Sequence, residues 1–312
     1  MKKFDIYITY LCGSRCCFCC VLDKVEWFRE THTSPHMRFE DFVEIVDQKA
    51  AEGYSYVTLT GGEPTLHPQF PQIVRHCKKR NMRVSLNSNA REFADNSFCA
   101  DVLPYIDEMV LSIHAHKAEL HDRLTGAKGS FDKFLTAMAN IHRSRQKVYL
   151  ITDTVILTEN IDYVGEITDF LLMFPKLKHI LFSNVNIPPD KVEGLRHLVP
   201  SLPQVREVLP DIVRRTSEKG RILRFYGIPL CVMGDYKSRS NDLSFEPKVV
   251  VEQYMFEGQM KRRESPALQP RQAKRKTKKC EGCMYENVCG GVFNSYYSIY
   301  KDKHLKAIKN EF

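Results

Sequence analysis

Seven short segments rich in Val, Ile, Leu and aromatics alternate with amphipathic segments between residues 4 and 226, and this alternation restricts the fold more than any other feature of the chain. The predicted strands are residues 4–11, 54–60, 82–86, 108–113, 148–156, 179–184 and 221–226. Between them apolar residues recur at helical spacing. In 39–52, for example, Phe42, Val43, Ile45, Val46 and Ala50 share one face and Gly53 ends the run. Ser130 and Asn160 stand where helix caps are expected. Repeated strand–helix units imply parallel strands with crossover helices packed outside. The expected fold is therefore α/β: a partial (β/α)6 TIM-like barrel over residues 1–227, then a small cysteine-rich C-terminal extension over 228–312. Such a barrel carries its chemistry at the C-terminal ends of its strands. The polar clusters fall there: residues 12–20 after the first strand, 61–64 after the second, 87–89 after the third, and Ser112 with His114 after the fourth.

Five of the eleven cysteines lie in the nine residues 12–20. Thiolates are soft ligands, and a crowd of them in one loop reads as a metal site. Cys12, Cys16 and Cys19 supply three thiolates to one centre, whereas a cluster of four irons takes four, so one iron would stay open. A structural zinc completed by Cys17 and Cys20 is the rival reading, as is the register Cys12, Cys17, Cys20. At the other end, Cys231 with Cys280, Cys283 and Cys289 makes a second set of four, enough to close a zinc or an iron–sulfur site. Cys77 and Cys99 sit alone in helical patterns and are expected to be buried, inert thiols. A chain with no signal-peptide pattern and no run of eighteen apolar residues is expected in the cytoplasm, where so many cysteines argue for metal or redox chemistry and not for a disulfide frame.

The formal net charge of +8 belongs to one stretch: residues 261–279 hold nine Lys or Arg against Glu264 alone. The run contains two prolines and no apolar period, and is expected to be flexible and solvated. No aromatic interleaves it, so base stacking on nucleic acid is not supported.

Cys12-x3-Cys16-x-Phe18-Cys19 resembles the signature loop of the radical S-adenosylmethionine superfamily, and Thr60-Gly61-Gly62-Glu63-Pro64 on the next strand resembles that family's second motif. The resemblance covers residues 4–226 and implies a [4Fe–4S] cluster on Cys12, Cys16 and Cys19. The open iron would hold S-adenosylmethionine, whose one-electron cleavage gives a 5′-deoxyadenosyl radical that takes hydrogen from the substrate. Under it, Phe18 lies near the adenine and Gly61, Gly62, Glu63 and Pro64 meet the amino group. Asn87, Ser112 and Arg123 stand where the family contacts the rest of the cofactor. Cys17 and Cys20 are then spare. The C-terminal set resembles a shortened SPASM-type extension, often called Twitch, which implies one auxiliary [4Fe–4S] cluster on Cys231, Cys280, Cys283 and Cys289, with zinc as the alternative.

The resemblance implies a radical enzyme that modifies a peptide or protein by crosslinking, thioether formation or oxidation. It also implies an electron donor such as flavodoxin or ferredoxin. Chemistry on a small sugar, cyclitol or nucleotide is the second expectation, and a non-catalytic zinc scaffold the third. The barrel begins near residue 4, so a ribosomal peptide is expected to need a separate carrier protein or a different docking mode.

Overall fold

A computed structural model describes residues 1–31, 33–256, 259–267 and 273–309, with side chains for all of these except 255, 256, 259 and 260. Strands β1 (Lys2–Thr9), β2 (Tyr54–Gly61), β3 (Arg83–Ser88), β4 (Glu108–Ser112), β5 (Tyr149–Ile156), β6 (Leu177–Asn184) and β7 (Ile222–Tyr226) pair in chain order, each parallel to the next. The crossovers carry helices α1 (Leu22–Thr31), α2 (Phe39–Ala51), α3 (Phe70–Lys79), α4 (Asn96–Val102), α5 (Ala118–Thr125), α6 (Ser130–Arg143), α7 (Val164–Leu172), α8 (Val192–Leu195) and α9 (Leu202–Glu218).

Strand residues alternate between two environments. In β5, Leu150, Thr152, Thr154 and Ile156 are buried, while Tyr149, Ile151, Asp153 and Val155 face the other way and keep some access to solvent. The buried set, with Ile6, Leu59, Leu86 and Leu111 of neighbouring strands, packs into one core with Phe42, Ile73, Phe134 and Ile212 of the helices. The other face is a lumen. Tyr7 of β1, Tyr56 of β2, Glu108 of β4 and Tyr226 of β7 line a single cavity of ≈ 580 Å³. Strands so far apart in sheet order share a cavity only when the sheet curls, so the sheet is an incomplete barrel. Among the described residues no helix is long and apolar enough to cross a membrane.

The extension departs from expectation. β8 (Lys248–Phe256) pairs parallel with β1, and β9 (Gln259–Ala267) pairs antiparallel with β8, so the sheet has nine strands. Part of the basic run thus forms a strand of the main sheet, although its residues 261–264 are exposed, as the composition suggests. Carboxylates hold its cations: Glu252 of β8 accepts from Arg263 of β9 (Nε at 3.0 Å) and from Lys24 of α1. Residues 268–272 of the run lie outside the described residues. Further on, β10 (Lys274–Arg275) pairs with β11 (Val292–Phe293), and after a short helix α10 (Leu230–Met233) earlier in the extension, α11 (Asn294–Tyr300) closes it.

Two expected caps act otherwise. The Ser130 hydroxyl donates to Asp122 Oδ1 (2.8 Å), and the Asp122 carboxylate, which also accepts from Phe131 N (2.9 Å), caps α6 in its place. Asn160 caps nothing with its side chain: its Nδ2 donates to His114 O (3.0 Å) and Val155 O (2.9 Å), tying the ends of β4 and β5.

Candidate active site and its cysteine centres

β1 delivers the cysteine loop to the mouth of the lumen. Within the loop, Cys19 N donates to Cys16 O (3.1 Å) and Leu22 N to Cys19 O (3.2 Å), which turns the chain into α1. Three outside contacts fix it. Arg15 N donates to Thr125 O at the end of α5 (2.8 Å), and Arg29 Nη2 donates to Cys12 O (2.5 Å) and Ser14 O (3.1 Å). The Arg91 guanidinium lies against Gly13, where a Cβ would stand 2.4 Å from Nη2. Sequence reasoning missed Arg29 and Arg91, because no local pattern marks an arginine that serves a distant loop.

Cys12, Cys16, Cys17 and Cys19 are half-buried residues; Cys20 is exposed as a residue, but its thiol lies in a buried environment that raises its pKa. Burial, and then the neighbouring thiols of Cys19, Cys12 and Cys17, push Cys16 far above the usual thiol range, and Cys19 is pushed up to about 12 by burial and then Cys20. Thiols crowded this way ionise only beside a cationic centre, so the donor set fits a metal cluster. The other two thiols have different surroundings: Cys17 feels Glu159, and Cys20 interacts with Tyr7, Tyr226 and Asp153 of the lumen. Among the described residues no three His, Cys, Asp or Glu stand close enough to hold a single ion.

The Gly61–Gly62 turn abuts this loop. Gly62 N donates to Thr9 O (2.8 Å) and Glu63 N to Leu11 O (2.8 Å). A Cβ on Gly61, whose φ is +141°, would stand 2.1 Å from Thr9 O, and one on Gly62 would stand 2.5 Å from Leu11 O. The chain's own residues 9–11 therefore require both glycines, whatever else the turn binds. Glu63 is buried, and its carboxylate is fully engaged. Oε1 accepts from Thr65 Oγ1 (2.6 Å), Thr65 N (3.2 Å) and Ser88 Oγ (2.8 Å), and Oε2 accepts from Asn89 N (2.7 Å). Its task in the fold is to lock the end of β2 to the end of β3. Pro64 begins the short turn Pro64–Leu66, and Asn87 is an exposed residue on the lumen face of β3, with Nδ2 3.5 Å from Thr60 Oγ1.

The remaining candidates divide. Ser112 ends β4 in register with Asp153, on the lumen side. Arg123 is 56% exposed and pairs with Glu159 at 3.1 Å. Phe18 is buried edge-on against His114, with ring centroids 4.8 Å apart. Burial pushes His114 down to about 3, and its Nδ1 accepts from Val155 N (3.3 Å). His114 is a satisfied strand-end residue.

The four C-terminal thiols converge. Cys231, Cys280, Cys283 and Cys289 line one cavity together with Tyr285 and Lys306, and burial followed by Cys289, Cys280 and Cys283 raises the pKa of Cys231. Backbone amides point at the sulfurs: Gly291 N lies 3.4 Å from Cys289 Sγ and Ile308 N lies 3.4 Å from Cys283 Sγ. Four thiols lining one cavity, two of them facing backbone N–H donors, have the donor chemistry of a metal centre, although among the described residues no three of them stand close enough to hold a single ion.

The sequence model of the Radical SAM superfamily matches residues 6–171, more than half of the chain. The chain belongs to that superfamily. Its members' [4Fe–4S] cluster and S-adenosylmethionine are therefore its cofactors, and it is a radical SAM enzyme. Among curated relatives, Fe-coproporphyrin III synthase of Methanosarcina barkeri is 27% identical over 222 residues, which are 68% of this chain and 52% of the relative. Mycofactocin maturase MftC of Mycolicibacterium smegmatis is 26% identical over 163 residues, 51% of this chain and 38% of the relative. The chain thus spans about half or less of the length of these relatives. Two solved structures share the fold over nearly the whole chain. For anSMEcpe with bound AdoMet the TM-score is 0.68 at 17% identity, covering 97% of this chain and 96% of that one. For Streptococcus suis SuiB bound to S-adenosylmethionine it is 0.66 at 15% identity, covering 99% and 76%.

Proposed function

We propose that this enzyme modifies a peptide or protein substrate by hydrogen abstraction at the mouth of its barrel. In this reading Cys12, Cys16 and Cys19 hold the radical-generating cluster, and Cys231, Cys280, Cys283 and Cys289 hold an auxiliary [4Fe–4S] cluster. The observation that carries the reading is the convergence of the four C-terminal thiols on one cavity, in addition to the loop at the barrel mouth. When bound, the first cluster and S-adenosylmethionine supply one-electron cleavage of a sulfonium C–S bond, releasing methionine and a radical that breaks a substrate C–H bond and leaves as 5′-deoxyadenosine. The chain's own residues do the holding. Arg29 and Arg91 pin the loop and offset negative charge near Cys12, and Glu63 keeps the turns after β2 and β3 in fixed relation. A peptide substrate is supported by SuiB, solved with the precursor peptide SuiA, whose fold this chain shares with a TM-score of 0.56 and 18% identity over 72% of its length and 48% of SuiB.

A second reading, a nucleotide substrate, rests on S-adenosylmethionine-dependent nucleotide dehydratase of Lacinutrix mariniflava, 30% identical over 115 residues but only 36% of this chain and 23% of the relative. The decisive experiment is anaerobic reconstitution. Protein with two clusters is brown and holds about eight irons, and on reduction it releases 5′-deoxyadenosine from S-adenosylmethionine. Cys12→Ala, Cys16→Ala and Cys19→Ala each abolish that release. Cys280→Ala and Cys283→Ala leave it intact and lose product. Colourless protein holding zinc would sink the proposal.

A further inference from the structure

Among the described residues, one carboxylate on the lumen face has no basic partner. Asp5 pairs with Lys248 (2.5 Å), Glu246 with Lys3 (2.5 Å), and Glu108 with Arg83 (3.6 Å) and the Tyr56 hydroxyl (2.7 Å). These pairs close the lower part of the cavity. Outside the lining of that cavity, on the same sheet face and toward the cysteine loop, Asp153 of β5 has only the Ser183 hydroxyl on Oδ1 (2.7 Å), and among the described residues nothing donates to Oδ2. Its side chain keeps access to the lumen. The titratable groups that interact with it are Cys20 of the loop and Tyr226 of β7, neither of them a cation; the cation on the same face, Arg224 of β7, lies one strand beyond Leu181 and donates to Ser238 O (2.6 Å). Its neighbours on that face are Ile151 on β5 and Leu181, its register partner on β6, both apolar, with the polar Ser112 as its register partner on β4 and His179 beside Ile151. Burial pushes Asp153 up to about 6, the behaviour of an anion that lacks its counter-charge.

We propose that the upper lumen binds an alkylammonium group of the substrate, of the kind a lysine side chain carries, with Asp153 as its counter-ion and Ile151 and Leu181 along its aliphatic stem. An ammonium there completes the charge pairing that every other lumen carboxylate already has, and a methylene chain suits the apolar wall. The Cys20 thiol lies beside the same spot, so the group sits just below the radical-generating loop. The inference rests on the proposed hydrogen abstraction at the barrel mouth and gives that substrate a chemical class.

The test uses the reconstituted holoenzyme and two probes, Nα-acetyl-lysine methylamide and its neutral counterpart Nα-acetyl-norleucine methylamide, with affinities measured calorimetrically. The lysine probe is expected to bind at least about tenfold more tightly than the norleucine probe, the value of about 1.4 kcal/mol for one charge-assisted contact. Asp153→Asn removes that preference, and Asp153→Glu, which keeps the charge, restores it. Equal affinity for the two probes, or a preference that survives Asp153→Asn, overturns the site. Loss in both variants also overturns it, because charge would then not be what the position supplies. Release of 5′-deoxyadenosine without probe discrimination sinks this inference alone, whereas probe discrimination in protein that releases none sinks the radical reading and leaves the site standing.

Discussion

Lys274 Nζ lies 2.8 Å from Asp242 Oδ1 with both side chains essentially inaccessible, 0% and 1% exposed. The ammonium also sits over the rings of Tyr226 (4.6 Å) and Phe293 (5.2 Å), and Gly290 N donates to Asp242 Oδ2 (3.3 Å). The buried ion pair thus lies within the extension, beside Cys289, and its ammonium reaches the end of β7 through the Tyr226 ring. Removing one member strands the other charge in the interior, at a cost of about 3–5 kcal/mol. Lys274→Met is therefore expected to lower the denaturation midpoint strongly, and Lys274→Met with Asp242→Leu to recover much of the loss. Urea unfolding of the three proteins checks this. A single variant as stable as the parent would show the pair to be dispensable.

This pair also marks where sequence reading fell short. Lys274 sits in a run of basic residues, and composition alone assigns such a run to solvent. Nothing local announces that Asp242 waits across the fold, nor that Glu252 on β8 will hold Arg263 and Lys24. The barrel was legible because its signal is periodic and repeated: α9 spans Leu202–Glu218, as the apolar spacing and Gly220 indicate. The hairpin β8–β9 was not, because only Val249–Val251 of it meets β1, and its charged residues obscure the alternation. At the site, cysteine spacing indicated the loop. The clamps Arg29 and Arg91 are tertiary contacts with no motif, and the fourfold engagement of Glu63 depends on β3 lying beside β2.

The glycine turn offers a clean separation of the two centres. A methyl at position 62 would stand 2.5 Å from Leu11 O and 2.8 Å from Tyr10 O, both backbone atoms that cannot swing aside. Gly62→Ala must push residues 10–11, and with them Cys12. Iron in the anaerobically reconstituted variant is expected to fall from about eight to about four per chain, with 5′-deoxyadenosine release lost and the C-terminal centre retained. Full iron loading with normal release would show that the turn accommodates the methyl and does not position the loop.

Asp153 gives a stability signature with a definite sign. Its pKa is raised by burial from the ordinary 3.8 to about 6, so the folded chain binds the proton more tightly than the unfolded chain does. The contribution to stability is greatest below the ordinary carboxylate value and is lost as pH rises through about 6. A shift of this size corresponds to at most about 3 kcal/mol, and the partial access of the side chain reduces that to about 1–3 kcal/mol. Asp153→Asn is expected to lack the decline, so the variant gains on the parent between pH 5 and 8. Denaturation midpoints across that range test it, and parallel curves for the two proteins would contradict the burial argument. An ammonium bound in the lumen would oppose the same decline in the parent.

The amide of Ile308 aims at Cys283 Sγ from 3.4 Å, and Met284 N donates to Ile308 O (2.9 Å), so the C-terminal segment is stitched over the auxiliary thiols. An N–H dipole directed at a cluster sulfur favours the more negative, reduced state, and removing it lowers the reduction potential. Ile308→Pro deletes that hydrogen while leaving all four cysteines. With one hydrogen bond worth about 0.5–1.5 kcal/mol, and about 59 mV per tenfold change for one electron, the potential of the proposed auxiliary cluster should fall by about 20–65 mV. Redox titration followed by paramagnetic resonance separates it from the first cluster, whose potential should not move. An unchanged auxiliary potential with intact iron would mean that this amide does not reach the cluster, and a shift in the first cluster instead would place the C-terminal segment at the barrel mouth.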